Sequence, residues 1–168
     1  MTAVLDGAAQ ILLPTNLLAL VALGLLTSQN ARQDPSVTLA LFTAGLVTGA
    51  LLIALALRDP PAAITLLVLA AITGVIVAMG RLLPLIIQIA LAFAMGVSIA
   101  LNAPPQAVTI SAAIAAQLGS GIAGLAATGL VALVASKAED GWQRIGVRVV
   151  ASWIAASAIL VIALRLAR

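Results

Sequence analysis

The sequence predicts an all-α protein: a polytopic bundle of six transmembrane helices that forms a single domain over residues 1–168. Hydrophobic residues make up 64% of the chain and charged residues only 8%, whereas an ordinary soluble domain is about 25% charged. The mean hydropathy is +1.27, and the apolar residues fall into runs separated by short polar or proline-containing segments. A soluble core of this length cannot enclose so much apolar surface, so we expect the lipid bilayer to surround the helices.

The first three spans are predicted at residues 7–28, 36–57 and 62–79. The polar segment QNARQDP separates the first two spans. The second span ends at the segment RDPP, because successive prolines cannot continue a helix.

The last three spans are predicted at residues 82–101, 106–136 and 145–166, with the segments NAPP and KAEDGWQR as loops. Pro84 falls in the first turn of the fourth span, where a helix tolerates proline. Only Gly80 and Arg81 join the third and fourth spans, which predicts an antiparallel hairpin. The fifth span is either one long tilted helix or a shorter helix with an interfacial lead-in.

The positions of Lys and Arg indicate an orientation, since cytoplasmic loops carry an excess of both. The side that holds the first, third and fifth loops has more of them than the side that holds the termini. The first side carries Arg32, Arg81, Lys137, Arg144 and Arg148, and the second carries Arg58, Arg165 and Arg168. We therefore expect a multi-pass protein of the bacterial inner membrane with both termini in the periplasm.

The first span contains a polar break, in the segment QILLPTNLLALVALGLLT. A helix confined to the residues after Asn16 would be about eleven residues long, well short of a hydrocarbon core of about 30 Å. The helix is therefore expected to begin near Gly7 and to carry Pro14 inside it as a bend. Two interpretations of Pro14, Thr15 and Asn16 remain: a proline kink with local polar repair, or a polar site inside the membrane.

Three primary amides are predicted at membrane depth: Asn16, Gln88 and Gln117. A buried amide is difficult to satisfy within its own helix, so these side chains either bond one another across helices or face water or a ligand. Measured from the outer helix ends, Gln117 matches the depth of Asn16 better than Gln88 does. We therefore expect Gln117 to be the partner of Asn16.

Two strips of small residues predict close helix packing. The second span carries Gly45 and Gly49, four residues apart, and the fifth carries a longer strip at the same spacing: Ala116, Ser120, Gly124 and Thr128. Small residues let helix backbones approach each other in lipid. The strips either pack within the bundle or line a pore or substrate groove.

The composition excludes several function classes. The chain has no Cys and no His, so disulfides, thiolate catalysis, iron–sulfur ligation and the commonest metal and haem ligand are absent. The acidic residues, all in predicted tails or loops, form no constellation: Asp6, Asp34, Asp59, Glu139 and Asp140. We therefore predict no enzyme and no catalytic, cofactor-binding or metal site. The basic residues are scattered singly, so no nucleic-acid partner is expected.

The segments NLLALVALGLL and ITGVIVAMGRLLPLIIQIALAFAMG resemble the HupE/UreJ family of small bacterial membrane proteins, proposed nickel or cobalt permeases. The family's first helix opens with a His-Pro…Gly-Leu-Asp-His motif, whose last two residues fall on Thr15 and Asn16 here. The family's histidine-rich motif in the fourth helix falls on residues 95–98, where only Gly96 is kept. The resemblance implies transport of a metal ion or small solute by an altered mechanism.

Two functions remain open. One is a permease of this kind, and the other is a non-catalytic accessory or structural subunit of a larger membrane complex. The expected partners are the lipid bilayer and either copies of the same chain or the subunits of that complex.

Overall fold

The computed structural model describes residues 7–9, 11–30, 35–55, 62–102, 110–138 and 141–167. This part of the chain is helical and contains no strand. Its helices are α1 Pro14–Gln29, α2 Pro35–Ala54, α3 Ala62–Met79, α4 Leu85–Asn102, α5 Ile110–Ser136 and α6 Gly141–Leu166. Four of them, α2, α4, α5 and α6, contain segments long and apolar enough to cross a membrane, whereas α1 and α3 are shorter apolar helices.

The first helix is the centre of the bundle. α1 contacts all the other described helices, and the remaining helices pack mainly in pairs, α2 on α4 and α3 on α6. The core between them contains the fully buried side chains of Leu20, Leu23, Phe42, Leu66 and Leu67. Apolar side chains also cover much of the outer surface of the bundle, as lipid contact requires.

Glycine allows α2 and α4 to pack with their backbones in contact. A Cβ at Gly45 would overlap the carbonyl oxygen of Phe93, and one at Gly96 would overlap that of Phe42. At Gly49 a Cβ would lie 2.6 Å from the Cβ of Ala100. The α2–α4 contact surface therefore has no room for side chains at these positions.

The strip of small residues on α5 faces the bundle. Ala116, Ser120, Gly124 and Thr128 are all buried. A Cβ at Gly124 would lie 3.2 Å from Cδ1 of Ile11. In the described structure this strip packs on α1 and its lead-in, and Gly24 of α1 lies against Thr128 in turn.

The prediction of one helix that begins near Gly7 and bends at Pro14 is correct only at its start: residues 7–9 are helical, but the helix does not continue through Pro14. Pro14 is the first residue of α1, and residues 11–13 form turns. Proline has no N–H to donate and its fixed φ suits the start of a helix, so the chain begins a new helix there. Gly7 and Ile11 are nevertheless buried, with Gly7 against the backbone of Ala116. Gln10 lies outside the described residues.

Two other predicted boundaries differ. α4 begins at Leu85, after Pro84, whose carbonyl accepts the N–H groups of Ile87 and Gln88 and so initiates the helix. α6 begins at Gly141 and not at Ile145, so part of the predicted loop is helical and Arg144 belongs to the first turns of α6. The predicted start of the fifth span and the segment RDPP lie outside the described residues.

Candidate intramembrane polar sites

An asparagine pair joins the start of α1 to the end of α4. Asn102 Nδ2 donates to Asn16 Oδ1 at 2.9 Å and to Thr15 Oγ1 at 3.2 Å. Asn16 is fully buried, and Thr15 and Asn102 are half-buried. α1 and α4 therefore run in opposite directions, and these three side chains form one cluster, the Asn102 cluster.

The Asn102 cluster lies at the break that precedes α1. The N–H groups of Asn16 and Leu17 both donate to the carbonyl of Leu13, the last residue before α1. Non-helical backbone at membrane depth is tolerated where protein buries it or where it lines a cavity. Here buried Ile11 and exposed Leu12 and Leu13 share the turn, so one side of the break faces the bundle and the other faces outwards.

The adjoining face of α4 carries two more buried residues, Ser98 and Met95. They precede Asn102 by about one and two turns, so the three lie on one side of the helix. The bond between Asn16 and Asn102 thus brings Thr15 and Asn16 to the same end of the bundle as residues 95–98 of α4.

A second polar cluster lies at the other end of α4. Gln88 Nε2 donates to Thr38 Oγ1 at 2.8 Å, and Gln88 Oε1 accepts from Asn30 Nδ2 at 2.6 Å. Asn30 Nδ2 also lies 3.4 Å from the carbonyl oxygen of Leu83. Asn30, Thr38 and Gln88 are all buried, and together they connect the end of α1 to the starts of α2 and α4. We call this group the Asn30 cluster.

The three amides singled out from the sequence are not brought together. Gln88 lies about 21 Å along α4 from Asn102, the partner of Asn16. Within the described residues no hydrogen bond joins Gln117 to Asn16; the backbone carbonyl of Gln117 accepts from Ser120 Oγ. The prediction that Gln117 is the partner of Asn16 is therefore wrong, and Asn102 takes that place.

The reason is the face of α5 on which Gln117 lies. Leu20 lies against Gly124 and Gly24 against Thr128, so Asn16, one turn before Leu20, is about level with Ser120. Ser120 belongs to the buried strip of small residues, whereas Gln117 lies beside that strip and is only half-buried. Depth along the helix alone therefore does not identify the partner of Asn16.

Sequence reasoning missed Asn30, Thr38 and Asn102 as site residues. Asn30 and Asn102 fell in segments predicted as loops, and Thr38 was not considered. Their common signal is that each lies within two residues of the end of a predicted span, at the same end of the bundle as a buried amide.

The described residues contain no group of three or more His, Cys, Asp or Glu side chains that could hold a metal ion. What the two clusters offer instead is neutral: amide and hydroxyl groups that donate and accept hydrogen bonds. Comparison with family models, with curated proteins and with solved structures finds no match.

Proposed function

We propose that the chain is a six-span membrane protein in which α1 and α3 also cross the bilayer. α3 contacts α1, α4 and α6, so it runs through a bundle whose outer helices are long enough to span. α1 is about 24 Å long, and the turn at residues 11–13 extends its path. The Lys and Arg distribution favours a cytoplasmic Asn30 cluster, a periplasmic-side Asn102 cluster and periplasmic termini, in a bacterial inner membrane.

Within this frame we propose that the protein is a permease for a small polar solute, with the Asn102 cluster as its binding site. The observation that carries the proposal is the break before α1, with the buried Asn16 bonded to Asn102 directly beside it. Discontinuous helices expose backbone hydrogen-bonding groups at membrane depth, and transporters use such breaks to bind substrates. Asn102 donates an interhelical bond to Asn16, and a solute with donor and acceptor groups can replace it.

The resemblance to HupE/UreJ permeases supports the same location. By that resemblance the two family motifs correspond to Thr15 and Asn16 and to residues 95–98, and all of these residues lie towards the Asn102 end of the bundle. Amide and hydroxyl groups are poor ligands for Ni²⁺ compared with imidazole. The proposed substrate is therefore an uncharged, hydrogen-bonding solute. Metal ions are the alternative substrate that the flux experiment also tests.

The test is flux into proteoliposomes. We expect urea or glycerol to enter vesicles that contain the protein faster than protein-free vesicles, measured by stopped-flow light scattering. The double variant Asn16→Leu/Asn102→Leu removes both amides together, so neither is left buried without the other, and the half-buried Thr15 hydroxyl loses one donor. It should remain folded by circular dichroism and lose the added flux.

The matched control removes the other polar cluster with Asn30→Leu, Thr38→Val and Gln88→Leu, and it should keep the flux. Entry of Ni²⁺ or Co²⁺ can be measured with a metal-sensitive dye trapped in the vesicles. If these ions enter, the substrate is a metal ion and not an uncharged solute. Flux equal to that of protein-free vesicles for every probe would contradict the permease proposal.

One observation favours the second candidate, a non-catalytic subunit of a larger membrane complex. The amides of Asn16 and Gln88 already have partners within the chain, as expected of side chains that only hold helices together. A subunit should purify from its native membrane with stoichiometric partner chains, whereas a permease should purify alone or as a homo-oligomer.

A further inference from the structure

The cleft between α5 and α6 is a feature that the proposed function does not use. α5 packs on α1, and α6 packs on α3, more than either packs on the other. Their separation leaves a cavity of about 680 Å³. Val21 and Leu25 of α1 form its floor, and apolar side chains such as Val134 and Val150 form its walls.

A polar pocket of about 470 Å³ continues this groove at the Asn30 end of the bundle. The two cavities share Ala135, Ala138 and Val147, so they form one continuous depression. Arg144 and Arg148 of α6 line the polar pocket together with Ser28 and Ser136. Lys137 and Trp142 stand at the same end of the apolar groove.

The polar pocket carries two cations, Arg144 and Arg148, and the described residues that line it include no acidic side chain. Glu139 and Asp140 lie outside the described residues. The guanidinium of Arg148 lies against the backbone of Gly80, where any Cβ would overlap it. Gly80 has a φ of 65°, a conformation that favours glycine, so this turn both ends α3 and makes room for the arginine.

We propose that this depression binds one phospholipid with an anionic headgroup. Its phosphate is held by Arg144 and Arg148, and an acyl chain lies in the groove between α5 and α6. Guanidinium groups bind phosphate oxygens through paired, charge-assisted hydrogen bonds. Trp142 is the type of residue that sits at the headgroup level of a membrane. The proposal requires the bundle to lie in a bilayer, but it does not depend on the permease proposal.

The dimensions favour a lipid over a partner helix. The groove face of α6, residues 142–150, is about 12 Å long. A transmembrane partner helix would present about 30 Å of apolar length. Basic residues beside an anionic membrane surface add affinity for acidic lipids over neutral ones, so the chemistry at the polar end selects the headgroup.

The test uses Trp142 as the reporter. The variant Trp153→Phe leaves Trp142 as the single tryptophan, since the chain has 2. The protein is placed in phosphatidylcholine vesicles that contain a small fraction of brominated phosphatidylglycerol or, in the comparison arm, brominated phosphatidylcholine. We expect phosphatidylglycerol to quench Trp142 much more strongly at equal mole fraction.

Two variants test whether the arginines of the polar pocket bind the lipid headgroup. Arg144→Gln/Arg148→Gln should lower the preference for phosphatidylglycerol by about 25-fold, because each basic residue contributes about fivefold. It should keep the weaker phosphatidylcholine quenching, which shows that the fold is intact. Arg165→Gln removes one charge from the last turn of the same helix and should change nothing.

The groove is tested with two matched glycines. A Cβ at Gly146 or at Gly129 would meet nothing within 4 Å. Gly146 lines the groove and Gly129 does not. Gly146→Leu should therefore fill the groove and reduce quenching by phosphatidylglycerol, while Gly129→Leu should not.

Equal quenching by the two lipids would overturn the proposal, and so would equal loss of the preference in Arg165→Gln. Free inorganic phosphate should not compete at concentrations that leave the bilayer intact. Competition by phosphate, with no effect of Gly146→Leu, would show an anion pocket without a lipid and would also overturn it. None of these outcomes depends on whether the protein transports a solute.

Discussion

At the residue scale, the buried amides act as connectors between helix ends. Gln88 uses both ends of its amide, accepting from Asn30 and donating to Thr38, and so ties three helices together. A buried polar group left without its partner costs more than the bond itself contributed, because its desolvation is then uncompensated. The Asn30 cluster is therefore sensitive to loss of one member and tolerant of loss of all three.

We expect Gln88→Leu to lower the free energy of unfolding by about 1–3 kcal/mol, because Asn30 and Thr38 lose their partner. The triple variant Asn30→Leu/Thr38→Val/Gln88→Leu should regain most of this. Denaturation with sodium dodecyl sulfate, followed by circular dichroism, measures both. Gln117→Leu is the control, since the half-buried Gln117 side chain has no hydrogen bond among the described residues. Equal losses for Gln88→Leu and Gln117→Leu would contradict the role of the cluster.

The sequence was enough to predict that the amide side chains of Asn16 and Gln88 are buried, but it was not enough to predict their hydrogen-bond partners. The rarity of amides in an apolar chain singled out Asn16 and Gln88, and both prove to be buried. Their partners depend on helix register, which small errors at a helix start change by one or two turns. Asn102 was missed because it is the last residue of α4, where a loop was expected.

At the element scale, the break before α1 shows that the thickness of a membrane does not by itself determine where a helix begins. A hydrocarbon core of about 30 Å seemed to require a continuous helix from Gly7. The bundle instead packs Gly7 and Ile11 against α5, so that the helix can be interrupted by the turn at residues 11–13. α3, in contrast, has the bounds expected from the sequence, because Gly80 and the segment before Ala62 are strong helix-ending signals.

Glycine contacts between elements give the second stability prediction. Gly45→Ala places a methyl group against the carbonyl of Phe93 and should force α2 and α4 apart. Gly129→Ala meets nothing within 4 Å. Both changes gain about 1 kcal/mol of helix propensity, so the difference between them isolates the clash. We expect Gly45→Ala to be less stable than Gly129→Ala by about 1–3 kcal/mol in the same detergent denaturation; equal stability would show that the two helices separate without cost.

At the scale of the whole molecule, the two polar clusters lie at opposite ends of one apolar bundle. The Asn102 cluster carries the proposed solute site, and the Asn30 cluster closes the other end beside the proposed lipid groove. Composition alone predicted the helical membrane class, and the runs of apolar residues predicted the approximate helix positions. The separation of the clusters could not be predicted, because it follows from the antiparallel packing of α1 and α4.

The central claim is that polar solutes reach the Asn102 cluster from outside the cell, and cysteine labelling tests it most directly in this chain without natural cysteine. In intact cells we predict that an impermeant thiol reagent labels Thr15→Cys and the exposed control Leu55→Cys. It should leave buried Leu20→Cys unlabelled, and Lys137→Cys should react only after the membrane is opened. Labelling of Lys137→Cys but not of Leu55→Cys in intact cells would reverse the orientation. If Thr15→Cys in folded protein resists the reagent while Leu55→Cys reacts, the break is sealed from water and the account of a solute site there is wrong.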